Sequence, residues 1–259
     1  MHIFLVNDDG IQSTGIHALC QAALERGHRV SMCAPSAQQS AASQRITLME
    51  PIYVKPYDLG VENAQAWAIT GTPTDCVRLG LFELVKDPVD VLISGINDGF
   101  NAGMAVHYSG TVGAATEGAL NRVRAMAVSV HHEASQELYD YTARLAIATA
   151  ERYVELKTPP ATILNMNAPL REPGEVLPAV LAPLSIANFR DCYLRRESPR
   201  NGAYYWMANE CRMDPPEPGS DLDWLGRGHV TLTFMGNPSE HGAAFASFAR
   251  EIGKIDVMA

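Results

Sequence analysis

The sequence predicts an α/β fold built on a mostly parallel sheet, and three observations carry that expectation. The chain opens on an apolar run, His2 to Val6, closed by the polar Asn7-Asp8-Asp9-Gly10 and followed by a segment of helical period. This reads as a buried first strand leading into a helix. Two later runs, Val89 to Ser94 and Ala125 to Val130, are nearly continuous in apolar residues, as strands covered on both faces should be. A chain of 259 residues with 47% hydrophobic composition can also bury a large core, enough for one large domain or one domain with an appendage.

The elements follow in order. After Gly10, the residues Ile16, Leu19, Cys20, Ala23 and Leu24 recur at helical spacing, and Gly27 ends the helix. His28 to Ala34 alternates up to Pro35 and completes a β-α-β unit with a right-handed crossover. Its first turn lacks Gly-x-Gly-x-x-Gly, so a dinucleotide held in the usual way is not expected. Ser36 to Ser43 is a polar loop on the same rim of the sheet as Asp8 and Asp9. Ala66 to Thr70 reads as a short strand. Gly71-Thr72-Pro73-Thr74-Asp75 opens a helix reaching about Val85, with Cys76, Val77, Leu81 and Leu84 on its apolar face. The strand Val89 to Ser94 leads into a loop with glycines at 95, 99 and 103. Ser109-Gly110-Thr111 then starts a helix of small residues through Ala119-Leu120, whose first amides and hydroxyls suit an anion. Ala125 to Val130 is a strand, Leu138 to Leu156 a long helix stopped before Pro159-Pro160, and Thr162 to Asn167 the expected last strand of the main sheet. The division expected is a catalytic core over 1–168 and an extension over 169–259 that is no independent domain. That extension should hold a hairpin containing Tyr204, Tyr205 and Trp206, a strand at His229 to Met235 and a terminal helix at Ala243 to Ile252. An aromatic hairpin of this kind cannot bury itself, so a partner subunit is expected to cover it.

Composition narrows the function. Lys and Arg total 20 against 29 Asp and Glu, a net charge of −9 that argues against gripping a nucleic-acid polymer. Five cysteines without Cys-x-x-Cys spacing suggest neither a disulfide framework nor a zinc knuckle. Neither a signal-peptide pattern nor an apolar run of membrane-spanning length occurs, so the expectation is a cytoplasmic chain without a membrane partner.

Adjacent carboxylates at the carboxyl end of a strand stand where open parallel sheets bind ligands. Asp8 and Asp9 repel each other unless something positive lies between them, and a hard divalent ion such as Mg²⁺ or Mn²⁺ meets that need with oxygen ligands. The plain alternative is turn and capping chemistry, which an isolated Asp-Asp-Gly would favour. Farther along, the Ser-Gly-Thr helix start adds a place for a phosphate on the same rim.

Taken together, Asn7-Asp8-Asp9-Gly10, Ser40 with Ala42-Ser43, Gly71 through Val77, Ser94-Gly95-Ile96-Asn97 through Asn101, Tyr108 through Ala115, and Tyr204-Tyr205-Trp206 resemble the SurE family of survival proteins, the 5′/3′-nucleotidases. The resemblance spans nearly the whole chain in the family's order. It implies a Rossmann-like three-layer core and one divalent ion per subunit on Asp8, Asp9, Ser40 and Asn97. It also implies hydrolysis of nucleoside monophosphates, with activity on short polyphosphate a further expectation, and homodimers or homotetramers that exchange C-terminal elements. Ser109, Gly110, Thr111 and Asn97 would hold the phosphate, with Asp8, Asp9 and Asn97 as the catalytic group. The chain departs from the family pattern at Pro35-Ser36, where Pro-Asp is frequent, and at Thr233-Phe234-Met235, where Thr-Pro-Leu is more usual.

Two rivals predict different chemistry. A metal-dependent glycosyltransferase would turn over nucleotide sugars without releasing phosphate, and a non-catalytic nucleotide-binding module would bind without turnover. The phosphate-holding helix start beside the paired aspartates favours hydrolysis over both. Nucleophilic attack by Asp8 or Asp9 through an aspartyl-phosphate stays open beside attack by water. Among the histidines, His107 is the one placed to protonate a leaving group. Adjacent His131 and His132 are expected to diverge as solvated loop residues.

Overall fold

β1 (His2–Val6) is buried along its whole length and sits in the middle of a nine-stranded sheet. The computed structural model describes residues 1–187, 189–190, 192–200, 202–208, 212–236 and 252. After β1 come α1 (Thr14–Glu25), β2 (Arg29–Pro35), β3 (Val54–Tyr57), β4 (Ala64–Ile69), α2 (Pro73–Leu79), β5 (Val91–Asp98), α3 (Gly110–Leu120), β6 (Arg124–Val130), α4 (Gln136–Tyr153) and β7 (Ile163–Asn167). The remainder holds β8 (Leu177–Leu181), β9 (Phe189–Arg190), β10 (Tyr193–Ser198), β11 (Gly202–Met207), β12 (Arg212–Met213), α5 (Asp221–Arg227) and β13 (His229–Met235).

The strand order is β3-β4-β2-β1-β5-β6-β7-β13-β8, with β4 through β7 mutually parallel. The chain runs outward from β1 in one direction through β2 and in the other through β5. The gap beyond the carboxyl ends of β1 and β5 is therefore the switch point where such sheets bind ligands. α1 and α4 pack on one face through Ile16, Leu19, Ala143 and Ala146, and α2 and α3 cover the other through Cys76, Val77, Ala114 and Ala115. This is a three-layer core. Among the described residues no helix is long and apolar enough to cross a membrane.

Four differences from the sequence expectations have local causes. The helix expected to reach Val85 is α-helical only to Leu79 and finishes as a π-helical turn, Gly80–Leu84. Gly80 lies on the Phe4 ring, so close that a Cβ there would come within 2.1 Å of the ring tip. Second, β5 does not end at Ser94. It runs on through Gly95, with a register shift against β6 before Asn97 pairs with Ser129 and Asp98 with Val130. Asn97 is thus fixed by the sheet rather than by a loop. Third, β7 is not the last strand of the sheet, because β13 pairs antiparallel to it and β8 pairs parallel to β13. Alternation alone did not show that His229–Met235 returns to the main sheet. Fourth, β3, antiparallel to β4 at the edge, and α5, capped by Ser220, were not anticipated.

The expected hairpin is β10 paired with β11, and Tyr193, Leu194, Tyr204, Tyr205, Trp206 and Met207 are all exposed on it. The expected terminal helix lies outside the described residues apart from Ile252, which is buried.

Candidate active site

Asn7 makes the turn that follows β1. Its Nδ2 donates to the Gly10 carbonyl at 2.9 Å and to Ser13 Oγ at 2.6 Å, while its Oδ1 accepts from Gly10 N at 3.1 Å. Gly10 adopts φ 101°, a left-handed conformation in which a Cβ would strain the chain. The turn leaves Asp8 buried and Asp9 half-buried at the switch point.

Three segments converge on the pair. From β5, the Asp98 amide donates to Asp9 Oδ2 at 3.1 Å. From the serine loop, the Gln39 amide donates to the Asp8 carbonyl at 2.7 Å and Gln38 Nε2 to Asp9 Oδ1 at 3.3 Å. Ser40 is the next residue, exposed in the turn beside these contacts. From the start of α3, the Thr111 hydroxyl donates a short hydrogen bond to Asp8 Oδ1 and lies 3.2 Å from Asn97 Oδ1. Asn97 Nδ2 donates to the Gly99 carbonyl at 2.7 Å, which turns its Oδ1 toward Thr111 and Asp8. Ser109 caps α3 by accepting from Val112 N at 3.1 Å. Gly110 follows, and a Cβ there would stand 3.0 Å from both Asp8 Cβ and Asp8 Oδ2. Asp8, Asp9, Asn97, Gly110 and Thr111 are thus brought together, with Ser109 and Ser40 at the margin.

Burial pushes the Asp8 carboxyl up to about 6; the Thr111 hydroxyl pulls against this rise and the Asp9 charge adds to it. Asp9 is raised for the same first reason, burial. Among the described residues, no Lys or Arg pairs with either group. Two partly desolvated carboxylates without an Arg or Lys partner fit a divalent cation, with the Asn97 amide oxygen as a neutral third donor.

A second layer of residues holds the glycine loop; Asn101 belongs to the motif already named, whereas Ser129, Asn165, Asn167 and Asp221 were not singled out in the sequence. Asn101 N donates to Asn167 Oδ1 at 2.9 Å and Asn101 Nδ2 to Ser129 Oγ at 2.9 Å, while Asn165 and Asn167 donate back to the Asn101 carbonyl at 2.8 and 3.0 Å. Buried Asp221, at the start of α5, accepts from Gly103 N at 2.8 Å and so ties the C-terminal segment to the same loop. The available signal was Asn165-Met166-Asn167, two polar residues at alternate positions of a strand otherwise fit for the core. His107 is exposed at the end of a 3₁₀ turn, and its carbonyl accepts from Ser43 Oγ at 2.9 Å. The expected divergence of His131 and His132 is overturned: a turn closed by Ala134 N on the His131 carbonyl at 2.9 Å brings their ring centroids to 4.2 Å.

Known proteins match this chain along most of its length. A family model described as survival protein SurE covers residues 3–191. The chain is 41% identical over 254 residues to the 5′-nucleotidase SurE of Solidesulfovibrio magneticus, covering 98% of each. It is 37% identical over 252 residues to the 5′-nucleotidase SurE of a Synechococcus strain, covering 96% of this chain and 97% of that one. Among solved structures, the SurE protein from Aquifex aeolicus superposes with a TM-score of 0.76 at 28% identity, covering 91% of this chain and 93% of that one.

Proposed function

The chain belongs to the SurE family, and on that premise we propose that it hydrolyses nucleoside monophosphates to nucleoside and phosphate, using one divalent ion, Mg²⁺ or Mn²⁺, per subunit. The observation that carries this reading is the pair of buried Asp8 and half-buried Asp9, paired with no Lys or Arg among the described residues, facing the capped start of α3. Asp8 and Asp9 would hold the ion, with Asn97 and Ser40 adding neutral oxygens. When bound, the ion would neutralise phosphoryl oxygens and lower the pKa of an attacking water.

The residues of the chain do the rest. The first amides of α3 and the Ser109 and Thr111 hydroxyls would hold the non-reacting phosphoryl oxygens, because a helix start presents unpaired N–H groups and positive potential. Thr111, whose hydroxyl donates to Asp8, would by rotating offer that proton to a phosphate oxygen. Gly110 keeps the approach open, since its missing Cβ is the atom that would collide with Asp8. Asn97, locked by the Gly99 carbonyl, supplies an oxygen without a further negative charge that would repel the substrate. The same cradle would accept the terminal phosphate of a short polyphosphate. The exposed aromatic hairpin of β10 and β11 is the surface through which subunits would pair.

A phosphate-release panel over nucleoside 5′- and 3′-monophosphates, short polyphosphate and nucleotide sugars, run with and without Mg²⁺ or Mn²⁺, tests the proposal. Release from monophosphates that stops in chelator and returns with the ion supports it. Full turnover in excess chelator, or turnover of nucleotide sugars without phosphate, refutes it. Trapping a phosphoenzyme would assign the attack to an aspartate instead of water.

A further inference from the structure

Among the described residues, one group of three metal-ligating side chains places its donor atoms within 4.8 Å of one another, and it lies outside the carboxylate pair: His131, His132 and Glu133. These residues follow β6 directly, on the rim where Val130 pairs with Asp98. The geometry points to a second metal site here, for a transition-metal ion of the zinc class, distinct in chemistry from the oxygen-lined site at Asp8 and Asp9.

Donor type and spacing both argue for it. Two imidazoles and one carboxylate suit zinc, copper or nickel, whereas Mg²⁺ prefers oxygen alone. Bonds of about 2.1 Å meeting at a tetrahedral angle separate two donors by about 3.4 Å. His131 Nδ1 and Glu133 Oε2 are 3.8 Å apart, a gap that small side-chain rotations close. His132 stands beside them, its ring centroid 4.2 Å from that of His131. The backbone is already turned for this purpose, since the Ala134 N bond to the His131 carbonyl draws three consecutive residues into one arc. Nδ1 of His131 accepts a backbone N–H, from Glu133 at 3.2 Å, a contact that a metal would replace. On its other side the His131 ring meets the edge of Phe100 at 5.2 Å, which limits its freedom before any ion arrives. His132 and Glu133 are exposed, so the ion has open access and its remaining positions would be filled by water.

The test uses the full chain, stripped of metal and then held in excess Mg²⁺ so that the oxygen-lined site is occupied. Zn²⁺ is titrated in competition with a chromogenic chelator. The parent should bind one equivalent of Zn²⁺ in the micromolar range or tighter. His132→Ala, at an exposed position where folding is not at stake, should weaken binding by at least about tenfold, and Glu133→Gln should weaken it as well. Asp9→Asn should leave Zn²⁺ binding in excess Mg²⁺ unchanged. The proposal is overturned if the parent binds no Zn²⁺ in that range, if His132→Ala binds as the parent does, or if Asp9→Asn abolishes binding that His132→Ala retains.

Discussion

Replacing Asp8 by Asn should stabilise the metal-free fold while destroying activity, and the pH dependence of the gain identifies its cause. Asp8 is 5% exposed, and burial holds its carboxyl at about 6, against the ordinary 3.8 it would show unfolded. A carboxyl raised on folding binds more protons folded than unfolded between those two values, so the parent loses stability as pH rises through that window. The gap of about 2 pH units, at about 1.4 kcal/mol each, amounts to about 3 kcal/mol fully felt at pH 8 and roughly halved at pH 5. Asn carries no charge to desolvate, so the variant escapes this cost. Any constant offset from repacking the amide cancels when the two proteins are compared across pH. Urea unfolding of both proteins in chelator should therefore show their stability difference moving by about 1.4 kcal/mol in favour of the variant between pH 5 and pH 8. Adding Mn²⁺ at pH 8 should then raise the stability of the parent and leave the variant unmoved, because only the parent retains the paired carboxylates. Turnover should fall at least about a hundredfold, near 2.7 kcal/mol of barrier. A stability difference that stays flat across that pH range would refute the desolvated-carboxylate argument.

Asn97→Asp should bind Mn²⁺ as tightly as the parent or more so, yet hydrolyse nucleotides more slowly because the added charge repels the phosphate. Asn97→Ala should instead need more metal, and recover part of its activity when it is supplied; calorimetry and rates at the parent's values in both variants would remove Asn97 from the site. Gly110→Ala puts a methyl 3.0 Å from Asp8 Oδ2, so activity should fall by at least about tenfold while secondary structure measured by circular dichroism stays the same. Light scattering at micromolar concentration should give a multiple of the 28.1 kDa chain, and truncation of Trp206 and Tyr205 to Ala on β11 should shift it toward the monomer; a parent already monomeric would exclude the hairpin as an interface.

The parts of this fold legible in the sequence are those in which local pattern and tertiary environment agree. Apolar runs became the central strands β1, β5 and β6. Helical spacing became α1 and α4, and Ser109 became the cap of α3. What stayed hidden depends on long-range partners: β13 alternates as any half-buried strand does, and nothing local says that Thr231 through Met235 will lie against β7. The same holds for His131 and His132, whose convergence follows from a turn rather than from their adjacency. The candidate site divides along that line too. Its proposed donors, Asp8, Asp9 and Asn97, could be read off the chain, but the property that makes Asp8 unusual is its burial. That burial comes from α3 settling onto the strand ends, which Gly110 against Asp8 and Gly113 against the Ser43 carbonyl both permit. An Asn-Asp-Asp-Gly turn in an open loop would carry two ordinary acids with no demand for a cation. It is the close approach of a glycine-bearing helix start, more than 100 residues away, that buries Asp8 in the turn and sets a capped helix end beside it, the arrangement on which the proposed cation and phosphate roles rest.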